Sequence, residues 1–321
     1  MKAIVWTKYG SPDGLQLREV EKPTPQADEV LIRVHAATVT AGDCEIRGLK
    51  LPLGYALLLR LFMGIRHPRP TILGQELSGE VVDVGTEVSG FKVGDAVFGT
   101  TGLRFGAYAE YNALPATSVA HKPTNLTHEE AAGIPVGALE ALHFLRSAQI
   151  QPGERVLING AGGSIGTLGV QLARYYGGTV TAVDSGDKLP MLRSIGADQM
   201  LDYQREDFIR SGQQWDVIFD VTGKRPFGGC LQALKPGGRY LLSNAGLMAN
   251  LRARWPKGNG KRVILGTSTQ AIDDLLFIKG LVEAGKLKPV IDRHYPLEQL
   301  PEAHRYVETG RKQGNVVITV V

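Results

Sequence analysis

The sequence predicts an α/β protein in which a doubly wound parallel sheet is inserted into a β-rich domain. Three observations predict it. The first 120 residues read as short strands and turns. From His128 onward, strands alternate with helices, the pattern of βαβ units. A strand-rich tail, Val316–Val321, follows the last helix and is expected to return to the first domain. A chain of 321 residues has room for two cores. We place the β-rich domain at 1–121 and 269–321 and the parallel-sheet domain at 122–268.

Met1–Thr7 is a short apolar strand, and Glu29–Ala37 alternates with Val30, Ile32 and Val34 on one face. Gly79–Val84 and Asp95–Phe98 are two more strands, separated by the turn-rich VGTEVSGFKVGD. Together they suggest a small irregular barrel. Arg104–Tyr111 (RFGAYAEY) reads as a strand after a loop. Pro52–Ile65 is apolar apart from Arg60 and reads as a core-packing helix or as a wall over an apolar substrate. Thr127, with Glu130 at the capping-box offset, starts a helix at His128. Then come strand 155–159, helix 165–176, strand 179–184, helix 188–195 and strands 199–202 and 215–220. Helix 227–234, strands 238–243 and 262–266 and helix 272–284 complete the alternation.

Composition narrows the function. The net charge is only +4 and no block of five or more cations occurs, so nucleic-acid binding is not expected. Two cysteines, Cys44 and Cys230, cannot make a disulfide scaffold or a four-cysteine zinc site. The opening MKAIVWTKYG lacks a signal-peptide core, and the longest uncharged apolar run, Leu51–Leu59, falls far short of the ~20 residues that span a bilayer. A cytoplasmic protein without a membrane span is the expectation.

The strongest motif is RVLINGAGGSIGTLGVQLA, a strand running through a glycine loop into a helix. Gly160, Gly163 and Gly166 have the spacing GxxGxxG; a strict GxGxxG fails because Ile165 falls on its third glycine. Such a loop lets a pyrophosphate approach the backbone and meet the N–H groups of a helix N-terminus. Asp184 ends the next strand, 18 residues after Gly166, where an acid accepts hydrogen bonds from the adenosine ribose and favours NAD(H). Lys188, one turn further on, favours the 2′-phosphate of NADP(H), and Asp187 weakens that argument. The choice between the coenzymes stays open.

The whole pattern resembles the medium-chain dehydrogenase/reductase superfamily, in its zinc-independent quinone oxidoreductase-like branch. The resemblance rests on LGQELSGEVVDVGTEVSGFKVGDAVFG (73–99), GAYAEY, AAGIPVGALEALHFL (131–145), the glycine loop, RSIGADQMLDY (193–203) and PLEQLPEAHRYVETGRKQGNVVITV (296–320). It implies a GroES-like substrate domain carrying an inserted Rossmann domain, with the coenzyme between them. Zinc-dependent members have a Cys where Thr40 stands, a His-Glu pair where Gln75-Glu76 stands, and a second Cys within Ile134-Pro135-Val136. A hydroxyl, an amide and an apolar group make no tetrahedral zinc site, so no metal is expected.

Without a metal, alcohol oxidation is disfavoured, whereas hydride addition to a carbon conjugated with a carbonyl needs less help. The resemblance therefore implies NAD(P)H-dependent reduction of a small apolar quinone, enone or enal. The alternatives are a zinc-type alcohol dehydrogenase with unusual ligands and a coenzyme-binding protein without turnover. Gly160, Gly163, Ser164, Ile165 and Gly166 are expected at the pyrophosphate, and Asp184, Ser185, Lys188 and Tyr203 at the adenosine ribose. Asn244, Ala245, Gly246, Thr267, Ser268 and Thr269 are expected on the nicotinamide side, with Asn315 beside the coenzyme. Thr40 and Tyr108 are the catalytic candidates. Glu140, where many relatives have Thr, is left between coenzyme contact and solvent. Dimers are common in the family, which makes a homodimer the expectation.

Overall fold

The computed structural model describes residues 1–50, 53–69, 72–253 and 258–321. The chain divides into two compact units, one comprising 1–136, 270–285 and 289–321, the other 137–269 and 286–288.

The first unit is β-rich. Its main sheet is ordered Ile291–Pro296, Asn315–Thr319, Glu29–Thr38, Glu76–Val84, Ala96–Thr100, Val119–His121, and Tyr111–Pro115 also pairs with Glu29–Thr38. Lys2–Trp6 and Leu15–Glu19 form a separate antiparallel ribbon. The tail does return: Asn315–Thr319 runs antiparallel to Glu29–Thr38, with Val317 opposite Thr38. Val30, Ile32 and Val34, the alternating face read from the sequence, are fully buried among Leu77, Val81 and Val97.

One strand expectation is corrected. Arg104–Tyr111 is not a strand. Gly102, Phe105 and Gly106 have φ of +56°, +57° and +99°, which breaks extension; only Ala109 makes a bridge, to Ala3, before the strand Tyr111–Pro115 begins. The apolar segment forms a helix at Leu53–Met63; Pro52 lies outside the described residues. Met63 is buried and Leu59 packs against the core, while Leu57, Leu61 and Ile65 are exposed.

The second unit holds a six-stranded, all-parallel sheet among the described residues. Its order is Gln199–Asp202, Thr179–Asp184, Arg155–Asn159, Trp215–Asp220, Leu234–Leu242, Arg262–Leu265. Counted along the chain this is 3-2-1-4-5-6, the doubly wound order whose switch point lies beside the first strand. The glycine loop follows that strand, so topology delivers it to the crevice where ligands bind in open sheets. Among the described residues, no helix is long and apolar enough to cross a membrane.

Candidate active site

The strand Arg155–Asn159 and the helix Ser164–Tyr175 frame the glycine loop, and each glycine of the triplet answers a different constraint. Gly160 has φ +84°, where a side chain would be strained. A Cβ on Gly166 would stand 2.2 Å from the Gly160 carbonyl oxygen and 2.6 Å from Ala161 backbone, so only glycine lets the helix start this close to the strand. Gly163 caps the helix with extended backbone, and a Cβ there would meet nothing nearer than the Gly160 carbonyl at 3.9 Å. Open space therefore faces Gly163. Ser164, Ile165 and Gly166 present first-turn N–H groups there, at the positive end of the helix dipole.

Asp184 and Lys188 form a buried ion pair beside the loop. Asp184 Oδ2 accepts the Gly162 N–H at 2.7 Å, and Oδ1 accepts the Ser185 N–H at 2.9 Å. Lys188 Nζ lies 3.1 Å from Oδ1. Both side chains are buried, and the Lys188 stem covers Gly162, where a Cβ would fall 2.5 Å from its Cδ. The carboxylate ties down the glycine loop and the ammonium neutralises it. Ser185 heads the turn Gly186–Lys188, and the Tyr203 N–H donates to the Asp184 carbonyl at 3.1 Å, with its ring half exposed. The four residues expected at the ribose are thus gathered beside the loop.

On the nicotinamide side, Asn244–Gly246 follow the strand Leu234–Leu242, and Thr267–Thr269 follow Arg262–Leu265. Glu140, on the helix Pro135–Ala148, ties the two strand ends together. It accepts from Ser243 Oγ at 3.2 Å, Thr267 Oγ1 at 3.1 Å and the Ser268 N–H at 2.9 Å. Asp220, which sequence reasoning missed, ends the strand next to the loop strand. Its Oδ1 accepts from Asn159 at 2.8 Å, from the Thr222 hydroxyl at 3.0 Å and from the Gly223 N–H at 3.0 Å; Oδ2 accepts from Tyr240 at 3.0 Å. The turn it fixes sets Thr222 against Gly160, where a Cβ would come within 2.6 Å of the Thr222 methyl. The available signal was an acid closing a parallel strand at the switch point.

Asn315 lies in the first unit. Its Nδ2 donates to the Gly133 and Val290 carbonyls at 3.1 and 3.2 Å, and its buried Oδ1 has no partner among the described residues.

The catalytic candidates are engaged elsewhere. Thr40 is the N-cap of the helix Ala41–Gly48 in a complete capping box: its Oγ1 accepts the Asp43 N–H at 3.0 Å, while Asp43 Oδ2 accepts the Thr40 N–H at 2.9 Å and hydroxyl at 2.6 Å. Gln75 Nε2 donates to Thr40 Oγ1 at 3.3 Å and Asp43 Oδ1 at 3.4 Å. Tyr108 is fully buried and its hydroxyl donates to the Thr38 carbonyl at 3.0 Å, a position that packing accounts for. Burial raises its pKa well above the ordinary phenol value. Burial also raises Asp43, against the hydrogen bonds from Thr40 that lower it, and pushes Glu76 up to about 7. Glu76 accepts from the Thr38 hydroxyl and, at 2.7 Å, from the Val136 N–H.

These residues do not fit a zinc ion. The three ligand slots hold a capping hydroxyl, a carboxamide donating to its neighbours, and the segment 134–136, in which Ile134 is fully buried. The glycine loop, by contrast, fits a dinucleotide.

A 3-2-1-4-5-6 parallel sheet with a glycine loop after its first strand is an architecture that binds dinucleotides, and the relatives named next make the class that of nicotinamide-coenzyme-dependent oxidoreductases. Residues 26–124 match the alcohol dehydrogenase GroES-like domain and residues 195–318 the zinc-binding dehydrogenase family. The chain is 33% identical over 330 residues to a 2-methylene-furan-3-one reductase of Solanum lycopersicum, covering 99% of this chain and 79% of that protein. It is 33% identical over 331 residues to an NADPH-dependent alkenal/one oxidoreductase, chloroplastic, of Arabidopsis thaliana, with the same coverage. Among solved structures, the quinone oxidoreductase from Coxiella burnetii matches with a TM-score of 0.88 at 29% identity, over 100% of this chain and 99% of that one. The chain belongs to the medium-chain dehydrogenase/reductase superfamily, on its quinone oxidoreductase-like branch.

Proposed function

We propose that this chain reduces quinones and activated alkenes (enones and enals) with NADPH or NADH, without zinc. The observation that carries the reading is the closed hydrogen-bond network of Thr40, Asp43 and Gln75 where metal ligands would stand. When bound, the dihydronicotinamide supplies the hydride. Gly160, Gly163, Ser164, Ile165 and Gly166 hold the pyrophosphate, and Asp184, Ser185, Lys188 and Tyr203 border the ribose. Asn244–Gly246 and Thr267–Thr269 orient the reacting end.

A site without a Lewis acid favours acceptors whose developing negative charge is spread by conjugation, since an isolated alkoxide would lack a counter-charge. Thr40 and Tyr108 have committed hydroxyls, so the completing proton comes from water. The family resemblance adds a small apolar carbonyl or quinone substrate and a homodimer to the reading, and the sequence's lack of a signal-peptide core and of a spanning run adds a cytoplasmic setting.

The test is loss of NADPH or NADH absorbance with a panel of quinones, enones and enals, before and after exhaustive chelation. Turnover that survives chelation supports the reading. A large loss restored by zinc sinks the metal-free claim, and coenzyme binding without any turnover sinks the enzyme.

A further inference from the structure

Glu140 stands out once the sheet is in view. Nothing in the loop fold requires an acid on the helix Pro135–Ala148 to reach two separate strand ends. Yet one oxygen accepts from Ser243 after one strand, and the other from both Thr267 and the Ser268 N–H after the next. A neutral acceptor could tie these loops. The carboxylate also brings a negative charge.

We propose that Glu140 is a positioning residue that sets the redox preference of the bound coenzyme. This rests on the reading that the loops 244–246 and 267–269 face the nicotinamide. The oxidised ring is a cation, whereas the dihydronicotinamide ring is neutral. A fixed negative charge behind the loops that hold the ring therefore favours the oxidised form and leaves the reduced form almost untouched. Differential stabilisation of the product ring makes hydride donation from the bound coenzyme more favourable. The hydrogen bonds keep the charge in place: a carboxylate held by three donors does not swing out to solvent.

Glu140→Gln separates charge from geometry. The amide oxygen can still accept from Thr267 and the Ser268 N–H, and the amide nitrogen can donate to Ser243 Oγ. Dissociation constants for reduced and oxidised coenzyme are measured by titration in the wild type, Glu140→Gln and Glu140→Ala. In Glu140→Gln the oxidised form should bind about three- to tenfold more weakly, the size of one solvent-screened charge interaction, with the reduced form within about twofold of wild type. Glu140→Ala, which unties the loops, should weaken both forms and lower kcat. An unmoved oxidised-to-reduced ratio in a folded Glu140→Gln protein overturns the proposal. If the wild type binds neither coenzyme, the coenzyme reading itself fails. If both forms weaken equally in Glu140→Gln, Glu140 is a structural tie only and the proposal is likewise overturned.

Discussion

The glycine loop of the second unit and the Thr40 corner of the first are built on opposite plans. In the loop, backbone packing is tight behind the surface and open in front: Gly166 has no room for a Cβ, while Gly163 has nothing within 3.9 Å. In the corner, every polar group faces another. Thr40 and Asp43 cap each other, Gln75 donates to both, and Glu76 is held by Thr38 and Val136. First-turn N–H groups of a helix beside open space are what an anion uses; a mutually bonded network is what a fold uses. On the proposed reading, coenzyme chemistry resides in the loop, and the Thr40 corner contributes to stability.

A pair of valines separates the two constraints within the loop most sharply. Gly163→Val points its side chain into open space, so the protein should fold and lose coenzyme affinity by about two orders of magnitude or more, because an anion can no longer reach the helix N-terminus. Gly166→Val drives atoms into backbone at 2.2 Å, so it should fail to fold or lose more than about 3 kcal/mol of stability. Coenzyme titration and thermal unfolding together read both. A Gly163→Val protein that binds NADPH normally would move the site elsewhere.

The corner should respond in stability instead of binding. Asp43→Ala leaves the buried Thr40 N–H and hydroxyl without their acceptor and takes one of two acceptors from the Gln75 amide, at a cost of about 2–4 kcal/mol. The folded fraction should keep its affinity for coenzyme. A loss of unfolding free energy in urea of less than about 1 kcal/mol would show that water satisfies these groups and that the corner is not a closed network.

How much of this was legible follows from range. The glycine triplet could be read because its constraints are local: a left-handed turn at Gly160 and a strand–helix approach at Gly166, six residues apart. The capping box at Thr127 and Glu130 was read by the same logic and is present. Thr40 and Asp43 have the identical spacing and form the same box, a local signal in the sequence that the comparison with a ligand slot obscures. The partners of Glu76, Thr38 and Val136, come from a neighbouring strand and a distant helix, and no spacing announces them. Asp184 and Lys188 sit at the i, i+4 offset of an ion pair, yet the burial that makes them partners comes from packing on Gly162.

A gentler test of the corner uses pH. Burial holds Glu76 at about 7 in the folded state against 4.5 ordinarily. The folded form thus binds a proton more tightly than the unfolded chain. The stabilisation from Glu76 is complete below pH 4.5 and is lost as pH rises through about 7, by roughly 3 kcal/mol in all. Burial holds His128 at about 4 and His304 at about 3, which acts in the opposite direction, so the difference between wild type and Glu76→Gln is the quantity to read. That difference should slope between pH 5 and pH 7 in denaturation midpoints. Parallel profiles would mean that Glu76 titrates normally and that the corner is open to water.

The smallest effect concerns coenzyme choice, and it asks whether the Asp184–Lys188 pair belongs wholly to the loop or also meets the ligand. The pair is nearly charge-balanced: Lys188 Nζ lies 3.1 Å from the carboxylate, and both side chains are buried. A 2′-phosphate near it would meet repulsion from Asp184 and attraction from Lys188 in similar measure, which predicts dual use of NADH and NADPH with modest discrimination. Asp184→Ser removes the acid and releases Lys188, so the ratio of kcat/KM should shift about three- to thirtyfold toward NADPH. Lys188→Ala leaves the acid without its cation and should shift the ratio toward NADH by a similar factor. Both variants also disturb the bond to the Gly162 N–H, so affinity for either coenzyme should fall somewhat in Asp184→Ser. The ratio cancels that common loss and isolates the phosphate. If the ratio stays put while both affinities fall together, Asp184 is a clamp on the glycine loop and nothing more, and the discrimination between coenzymes is made by residues other than this pair.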